Sequence, residues 1–258
     1  MRLIFLIFLI FLGCSQQVKR RPHVPISPLA VRELQINRTA NFQELVGRGV
    51  IEFRWTDEDG KHREQGDVDF WKQGEALSLR ISKLGELIMW FGGDANQTWL
   101  FDLLRDETTL SINGESNLFS DIKMALVLLG LSPLPEGELT VAKDGVVTLL
   151  DAEGKKWTLL FDQDMNRPIE ITVVDSDETS RAIHRRGIRV ELENLNELHW
   201  PVTGSLIDLT STRGNTEIKI AFETLSTVVS AERFDRVMSL SFLEKALKPV
   251  RTYTAKDD

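Results

Sequence analysis

The sequence predicts a mainly β fold of the α+β class, in which antiparallel strands form a meander and a few helices pack against it. Runs with alternating apolar and polar residues recur along most of the chain, and turns rich in Gly, Asp or Asn separate them. No helical segments long enough to serve as crossover connections lie between these runs, which argues against a parallel sheet. One almost wholly apolar segment near the middle of the chain predicts a buried helix.

The N-terminus predicts an export signal. Leu3–Leu12 is an unbroken apolar run behind a single positive charge at Arg2. As a helix this run would span about 15 Å, half of a hydrocarbon core of about 30 Å, so it is too short to cross a bilayer. A basic start, an apolar stretch and a small residue after it are typical of a secretory signal peptide, which we assign to residues 1–13.

The signal ends in Phe11-Leu12-Gly13-Cys14, which resembles the lipobox of bacterial lipoproteins. In that family a small residue precedes a cysteine that is acylated and becomes the new N-terminus, and Phe11 stands where leucine is usual. The resemblance implies lipidation of Cys14 and attachment to a membrane through two or three acyl chains, since one chain alone binds only marginally. The alternative is an ordinary secretory signal that ends in cysteine. Because Cys14 is the single cysteine, an intramolecular disulfide, a zinc ribbon and an iron–sulfur cluster are excluded.

Residues 14–28 predict a lipidated, extended tether. The segment is polar and basic, and its three prolines disfavour packed structure. Serine and glutamine follow Cys14, and the absence of aspartate there resembles lipoproteins that enterobacteria forward to the outer membrane. We therefore expect a protein of the bacterial envelope, anchored by lipid to the outer membrane and facing the periplasm, with one folded domain over residues 29–250.

The first half of the domain predicts one helix followed by a β meander. Ser27-Pro28 can begin a helix, because serine can cap its first turn and proline fits its first position, and apolar spacing continues the helix to Leu45. From Val46 the period changes to two, and Asp57-Glu58-Asp59-Gly60 supplies a hairpin turn. The later strands are expected at Gly66–Lys72, Ala76–Ile81, Glu86–Phe91, Gln97–Leu103 and Thr108–Ile112.

The segment Ser120–Gly130 predicts a short buried helix. A polar cap precedes it, Gly130 closes it and two prolines follow. From Ile122 onward Lys123 is its only charged residue, so the helix is apolar on almost every side. Two interpretations remain open, a plain core helix and a plug or lid over a cavity.

The second half predicts further strands and one last helix. Pro168 can open a strand but could not lie in the middle of one. Leu240–Leu247 is expected to form a short helix that Pro249 stops, and the charged tail after it is expected to fray. The strands are expected at Thr140–Leu150, Lys156–Phe161, Pro168–Val174, Arg181–Leu192, Ser205–Ser211 and Glu217–Leu225.

The charge balance argues against a nucleic-acid partner. There are 39 acidic against 31 basic side chains, and the net charge of -8 repels phosphates unless a local basic patch overcomes it. The basic cluster outside the N-terminus has acidic residues on both sides, so it predicts a solvated strand face or a turn. Its members are Arg181, His184, Arg185, Arg186 and Arg189.

No pattern in the sequence indicates catalysis or metal binding. The four histidines share no metal-ligand spacing, and no nucleophile elbow, phosphate-binding loop or dinucleotide fingerprint is present. We therefore expect no enzymatic activity, no metal and no cofactor. The six tryptophans lie in or beside predicted strands, where they can fill a core or line an apolar ligand groove.

The order of helix, antiparallel meander, buried apolar helix and second meander behind a lipobox resembles the LolA/LolB-like superfamily of periplasmic and outer-membrane lipoprotein carriers. The resemblance covers roughly residues 29–248. Its similar segments are Leu45-Val46-Gly47-Arg48-Gly49, Val68-Asp69-Phe70-Trp71, Trp99-Leu100-Phe101-Asp102 and, in the helical part, Leu129-Gly130-Leu131. It implies a curved, incomplete antiparallel barrel with helices packed in or over its concave face.

The resemblance also implies a ligand site and a function. In such a barrel an apolar hollow receives acyl chains, so the expected function is binding of an acyl chain, a lipid or a lipoprotein, for lipoprotein localisation. The alternative is a structural or envelope-assembly lipoprotein that acts through protein partners without lipid cargo. Strand alternation assigns the lining to Ile51, Phe53, Val68, Phe70, Leu77, Leu79, Met89, Phe91, Trp99 and Phe101, with Met124 and Leu128 of the helix facing them.

Overall fold

The computed structural model describes residues 26–57, 60–104, 107–114, 118–162, 167–176, 178–187, 190–192, 195–198, 204–212 and 215–254. The predicted signal peptide, Cys14 and the tether up to residue 25 lie outside the described residues. The helices are α1 (Pro28–Thr39), α2 (Ile122–Leu128), α3 (Ala231–Val237) and α4 (Leu240–Leu247). The strands are β1 (Glu44–Asp57), β2 (Gly60–Gln73), β3 (Ala76–Lys83), β4 (Glu86–Gly93), β5 (Thr98–Asp102), β6 (Thr109–Ile112), β7 (Gly137–Val141), β8 (Val147–Asp151), β9 (Lys156–Phe161), β10 (Pro168–Asp175), β11 (Glu178–Gly187), β12 (Val190–Leu192), β13 (Leu195–Leu198), β14 (Gly204–Ser211), β15 (Thr216–Ser226) and β16 (Arg251–Thr254).

All of these strands belong to one sheet. Its main path runs β16-β6-β5-β4-β3-β2-β1-β15-β14-β11-β10-β9-β8-β7, and β12 and β13 lie off it, with β12 beside the end of β15. Every neighbouring pair on the path is antiparallel except β16 and β6, which are parallel. The path has two free ends, β16 and β7, so the sheet does not close. The predicted fold class, a mainly β incomplete antiparallel barrel, is confirmed.

The first helix begins as predicted and ends earlier. The Ser27 hydroxyl accepts a hydrogen bond from the Ala30 backbone N–H over 3.2 Å, and Pro28 occupies the first helical position. The helix stops at Thr39, and a 3₁₀ turn follows it. Leu45 lies in β1 opposite Lys72, because pairing with β2 outweighs the helical spacing of the apolar residues.

Two long strands predicted in the second half are each divided in the structure. The run Thr140–Leu150 forms part of β7 and β8, which pair across a turn at Asp144-Gly145, where Gly145 has φ 82°. A left-handed backbone conformation favours glycine, so the turn breaks the strand there. The run Arg181–Leu192 likewise divides into β11 and β12.

The C-terminal segment adds two elements that the sequence pattern did not predict. The helix α3 precedes α4, and β16 joins the sheet beside β6 although we expected the tail to fray. The Val250 backbone N–H donates to the Thr108 carbonyl over 2.8 Å and begins this pairing. The folded part therefore extends past the predicted limit at residue 250.

The main apolar core lies on one face of the sheet, which we call the inner face. It contains side chains from β1–β4 in the first half of the chain and from β8–β11, β14 and β15 in the second, together with α1 and α2. A single core that joins both halves of an open sheet requires the sheet to curve around it. The inner face is therefore the concave side, and α2 lies within the curve.

On the opposite face of the sheet, the outer face, α3 and α4 cover part of the first half. Phe234 of α3 packs with Trp71, and Leu243 of α4 packs with Phe101. The prediction that helices pack in or over the concave face is thus correct for α1 and α2. The helices α3 and α4 lie on the outer face instead. None of the helices in the described ranges combines the length and the apolarity needed to span a bilayer.

Gly49 provides a test of this architecture. It lies where β1 shifts register against β15, and a Cβ atom there would be 2.0 Å from the Ala221 carbonyl oxygen. We expect Gly49→Ala to lower the free energy of unfolding by about 1–3 kcal/mol, because the two strands cannot separate without losing hydrogen bonds. Urea denaturation measures this change.

Gly114→Ala is the matched control. A Cβ atom there would have the Ser111 Cβ at 3.8 Å as its nearest neighbour, which is an ordinary contact. Its stability should stay within about 0.5 kcal/mol of the wild type. Equal stability of both variants would contradict the pairing of β1 with β15.

Candidate functional site

The helix α2, which we call the plug, fills the inside of the curved sheet. Six of its seven residues are buried, and only the Lys123 side chain, which is 60% exposed, reaches solvent. Leu126 and Leu128 have no exposed surface. The predicted buried helix is confirmed, and the interior is occupied by its side chains.

The N-terminal end of the plug is held by Asp121. One carboxylate oxygen of Asp121 accepts from the Met124 backbone N–H over 2.9 Å, which caps the helix, and the other lies 2.9 Å from Lys155 Nζ. Burial alone would lower the pKa of Lys155, but its hydrogen bonds to Asp121 and Glu153 outweigh burial and raise that pKa. The lysine therefore remains charged and joins the plug to the β8–β9 turn.

The C-terminal end of the plug is closed first by its own backbone. The Gly130 N–H donates to the Val127 carbonyl and the Leu131 N–H donates to the Leu126 carbonyl, both over 2.9 Å. Gly130 has φ 72°, the left-handed conformation that this type of helix end requires. These two hydrogen bonds do not use the Leu128 and Gly130 carbonyls. Both carbonyls lie in an apolar interior and need other donors.

Two buried side chains from distant parts of the chain pair these carbonyls. Arg38 of α1 donates through Nη1 to the Gly130 carbonyl over 2.7 Å and through Nε to Gln35 Oε1 over 2.7 Å. His184 Nε2 lies 2.8 Å from the Leu128 carbonyl, which can only accept, so this nitrogen carries the hydrogen. These contacts pair polar groups at both ends of the plug, which lowers the cost of burying the helix.

Burial also sets the protonation of these two side chains. It lowers the pKa of Arg38 to about 9, while the charge of Asp162 opposes that shift, so the guanidinium stays charged at neutral pH. Burial lowers the pKa of His184 to about 4, and the nearby charges of Arg38 and Arg167 add to the shift. His184 is therefore neutral at neutral pH.

The predicted lining residues fall on both faces of the sheet. Ten of them form or contact the inner core: Ile51, Phe53, Val68, Phe70, Leu77, Leu79, Met89, Phe91, Met124 and Leu128. Trp99 and Phe101 lie in the outer core beside α4, so their assignment to the inner face was wrong. The reason is the register of β5, which pairs Trp99 with Gly92 and Leu100 with Phe91. Leu100, which alternation did not select, contacts the inner core instead. That the ten residues contact a ligand stays a prediction.

His184 was also assigned to the wrong environment. The sequence placed it in a solvated basic cluster, yet it is 2% exposed. Alternation along β11 gives the signal that could have found it, since His184 shares the inner face with Ala182 while Arg181 and Arg185 point outward to Glu170 and Asp208. Of the remaining members, Arg186 and Arg189 have no described side chains.

Two clefts border the plug at the mouth of the barrel. The larger has a volume of 750 Å³ and combines apolar residues of the plug and of the following loop with Lys72, Lys155 and Trp157. The smaller, of 590 Å³, is mostly polar and lies between the β4–β5 turn and the start of the plug. Within the described ranges, no three His, Cys, Asp or Glu side chains are grouped closely enough to hold a metal ion.

Comparisons with known proteins give matches at the level of structure. No protein-family profile matches the sequence, and no curated protein matches it significantly. A LolA superfamily protein from Nitrosomonas europaea matches with 10% identity and a TM-score of 0.48, over 84% of this chain and 100% of that one. A protein domain from Vibrio parahaemolyticus that is named for outer membrane lipoprotein sorting matches with 10% identity and a TM-score of 0.47. The match covers 79% of this chain and 95% of that one. A DUF1329 family protein from Desulfovibrio piger matches with 12% identity and a TM-score of 0.40, over 86% and 100%. Identities this low do not bear on function.

His184 generates a prediction about pH and stability. The pKa of His184 is about 4 in the folded protein, against 6.5 as the ordinary value for an unburied histidine. Between these values the unfolded chain binds a proton that the folded protein does not, so stability falls as the pH drops from 6.5 towards 4. The contribution of neutral His184 to the free energy of unfolding is fully present above pH 6.5. Acidification lowers the free energy of unfolding by up to about 3 kcal/mol.

Urea denaturation across this pH range, on the wild type and on His184→Gln, measures the effect. The glutamine keeps an N–H donor for the Leu128 carbonyl but does not titrate. The free energy of unfolding of the wild type should fall more steeply than that of the variant below pH 6.5. Parallel curves would show that His184 does not titrate with a depressed pKa.

Proposed function

We propose that this protein is an envelope lipoprotein that binds an acyl chain, a lipid or the lipid part of a lipoprotein in its apolar interior, in place of the plug. The observation that carries the proposal is that a helix apolar on nearly all sides occupies the inside of an open, curved sheet. Its polar contacts are concentrated at its two ends.

The chemistry of the interior supports an exchange between the plug and a ligand. Side chains such as Phe70, Leu79 and Leu209 present only apolar surface, and burial of apolar surface is not directional. An acyl chain can therefore fill the same volume at a similar gain of about 25 cal/mol per Å² buried. The contacts that an acyl chain could not replace are the few hydrogen bonds of Asp121, Arg38 and His184, so these side chains set the stability of the closed state.

The larger cleft provides a route by which the plug can leave the interior. The larger cleft runs against Met124 and Val127, and Lys123 is exposed beside it. The plug is a helix of only seven residues, so its isolated stability in water is marginal and its form depends on the contacts described above. Movement of this short segment towards the cleft would open the interior without breaking the sheet.

The proposed location follows from the N-terminal sequence. The lipobox at Cys14 would fasten the protein to a membrane, and the residues after it favour the outer membrane. We propose a binding role without catalysis, in which the ligand is held and released unchanged.

A second candidate, a structural or assembly lipoprotein that acts through protein partners, is favoured by a different observation. The interior is filled by the plug, and the two clefts lie at the mouth of the barrel and not beneath the helix. In that role the plug would be a permanent part of the core.

Arg38→Met distinguishes the two candidates. The variant leaves the Gly130 carbonyl unpaired, which costs about 1–3 kcal/mol in the closed state. If the plug is exchangeable, its backbone amides at residues 122–129 should exchange hydrogen about tenfold faster or more, and a fluorescent fatty acid should bind more tightly by a similar factor. Hydrogen exchange with mass spectrometry and a fluorescence titration measure both effects.

Arg32→Met is the control, because Arg32 lies on the same helix and donates to the Pro135 and Gly137 carbonyls outside the plug. It should leave exchange in the plug unchanged. Probe binding absent from the wild type and from both variants would favour the structural candidate.

Cys14→Ser tests the anchor separately. Wild-type protein should fractionate with membranes, and mass spectrometry should show a mature N-terminus at Cys14 that carries acyl groups. The variant should lose the acyl groups and gain a soluble fraction, because serine at this position has no thiol to acylate. A variant that stays wholly with membranes would contradict attachment through this cysteine.

A further inference from the structure

Lys72 places a buried ammonium group beside the larger cleft. It continues the inward alternation of Val68 and Phe70 along β2, where an apolar residue would be expected. Its side chain is 2% exposed, and Nζ donates to the Phe42 carbonyl oxygen over 2.5 Å. An ammonium group has three N–H donors, and in the part of the chain that is described the Phe42 carbonyl is its hydrogen-bond partner.

The charge of Lys72 is not neutralised by this contact. A backbone carbonyl carries no net charge, and the acid that acts on Lys72 is Glu75, which is 66% exposed and lies 3.5 Å from Lys123. Burial lowers the pKa of Lys72 to about 8, against the opposing effect of Glu75. Because a buried charge costs free energy until a partner offsets it, an anion that bound here would stabilise this position.

The other two lysines at the cleft are already paired with carboxylates. Lys155 lies 2.9 Å from both Asp121 and Glu153, and Lys123 contacts Glu75. Among the described residues, no carboxylate lies within ion-pair distance of Lys72. Lys72 is thus the cation of this cleft that can receive an anion from outside the chain.

The rest of the cleft suits an apolar chain. Its apolar lining includes Met124, Val127, Leu131, Leu134 and Trp157. Its volume of 750 Å³ falls within the range of about 300–1,000 Å³ that is usual for small-molecule sites. One buried cation and a continuous set of apolar side chains match an amphiphile with a small anionic head and a hydrocarbon chain.

We propose that the larger cleft binds a long-chain fatty acid, with its carboxylate on the Lys72 ammonium and its hydrocarbon chain against the plug and the loop that follows it. This inference rests on the proposed function, because it names the chemical class of the acyl ligand and the cleft at which that ligand first binds, beside the plug and before the plug leaves the interior. Five carboxylates also line the cleft. Those of Glu75, Asp121 and Glu153 are paired with Lys123 or Lys155, and those of Glu136 and Asp151 repel an anionic head where they lie, so Lys72 fixes the direction of the bound chain.

Photolabelling of the full chain in lipid nanodiscs tests the proposal. Two diazirine probes with the same hydrocarbon chain are compared, palmitic acid and hexadecanol, and labelled peptides are identified by mass spectrometry. The acid should label peptides of the cleft at least about tenfold more than the alcohol does, because charge-assisted hydrogen bonds are the strong ones. In Lys72→Met the acid should lose this advantage, while labelling by the alcohol stays unchanged.

Two further variants complete the test. Lys123→Met removes an exposed lysine of the same cleft and should keep the preference for the acid, and Lys72→Arg retains the charge and should keep most of it. Equal labelling by acid and alcohol in the wild type would overturn this inference and leave acyl binding intact. Absence of labelling by both probes in the cleft and in the interior would overturn the proposed function as well. The comparison of probes on the wild type does not depend on the folding of any variant.

Discussion

A helix can lie inside an apolar interior only if the polar groups at both of its ends are paired, and the placement of several elements follows from this constraint. The plug ends at Leu128, and its last carbonyls face side chains instead of water. Arg38 reaches them from α1 and His184 reaches them from β11, so the first helix and the second half of the sheet converge on one point. An unpaired buried carbonyl costs about 1–3 kcal/mol, and these directional contacts fix the position of the helix end, which non-directional apolar contacts do not.

The same constraint bears on the proposed exchange of the plug for a ligand in a well-packed interior. Apolar contacts between the plug and the sheet are numerous but not specific, whereas the hydrogen bonds at the ends are few and directional. A molecule with a hydrocarbon chain can replace the apolar contacts of the plug, but it cannot replace the hydrogen bonds at the ends of the helix. In the proposed exchange, the balance between a closed interior and a loaded one is therefore set by a small number of polar side chains on elements that surround the plug.

Much of the fold could be predicted from the sequence, and the site only in part. The range of α4 was predicted to the residue, since an apolar helical pattern meets Pro249, and the β1–β2 hairpin followed from alternation on both sides of Gly60. Alternation failed at Trp99 because the turn before β5, in which Asp94 accepts from the Asn96 and Gln97 N–H groups, changes which residues face inward. A turn of different length inverts the face of a strand, and the spacing of apolar residues does not encode it.

The polar side chains of the site were beyond sequence patterns for a different reason. Arg38 and His184 act on backbone carbonyls at 130 and 128, far away along the chain, and a carbonyl is common to every residue. The acceptor of such a hydrogen bond can belong to any type of residue, so the sequence does not identify it. Lys72 is similar, because its partner is the Phe42 carbonyl. These contacts become visible only when the packing of the elements is known.

The pairing of β1 with β15 has a consequence for how the molecule is made. Val46 lies beside Ser226, so β1 has no neighbour on that side until β15, far later in the chain, has been synthesised. Structures dominated by such non-local pairings have high contact order and fold slowly. During that interval β1 and β2 present an unfinished hairpin edge that other chains can extend. Nascent copies crowded together are thus open to misassembly, and dilution or a chaperone that shields this edge should raise the yield of native protein.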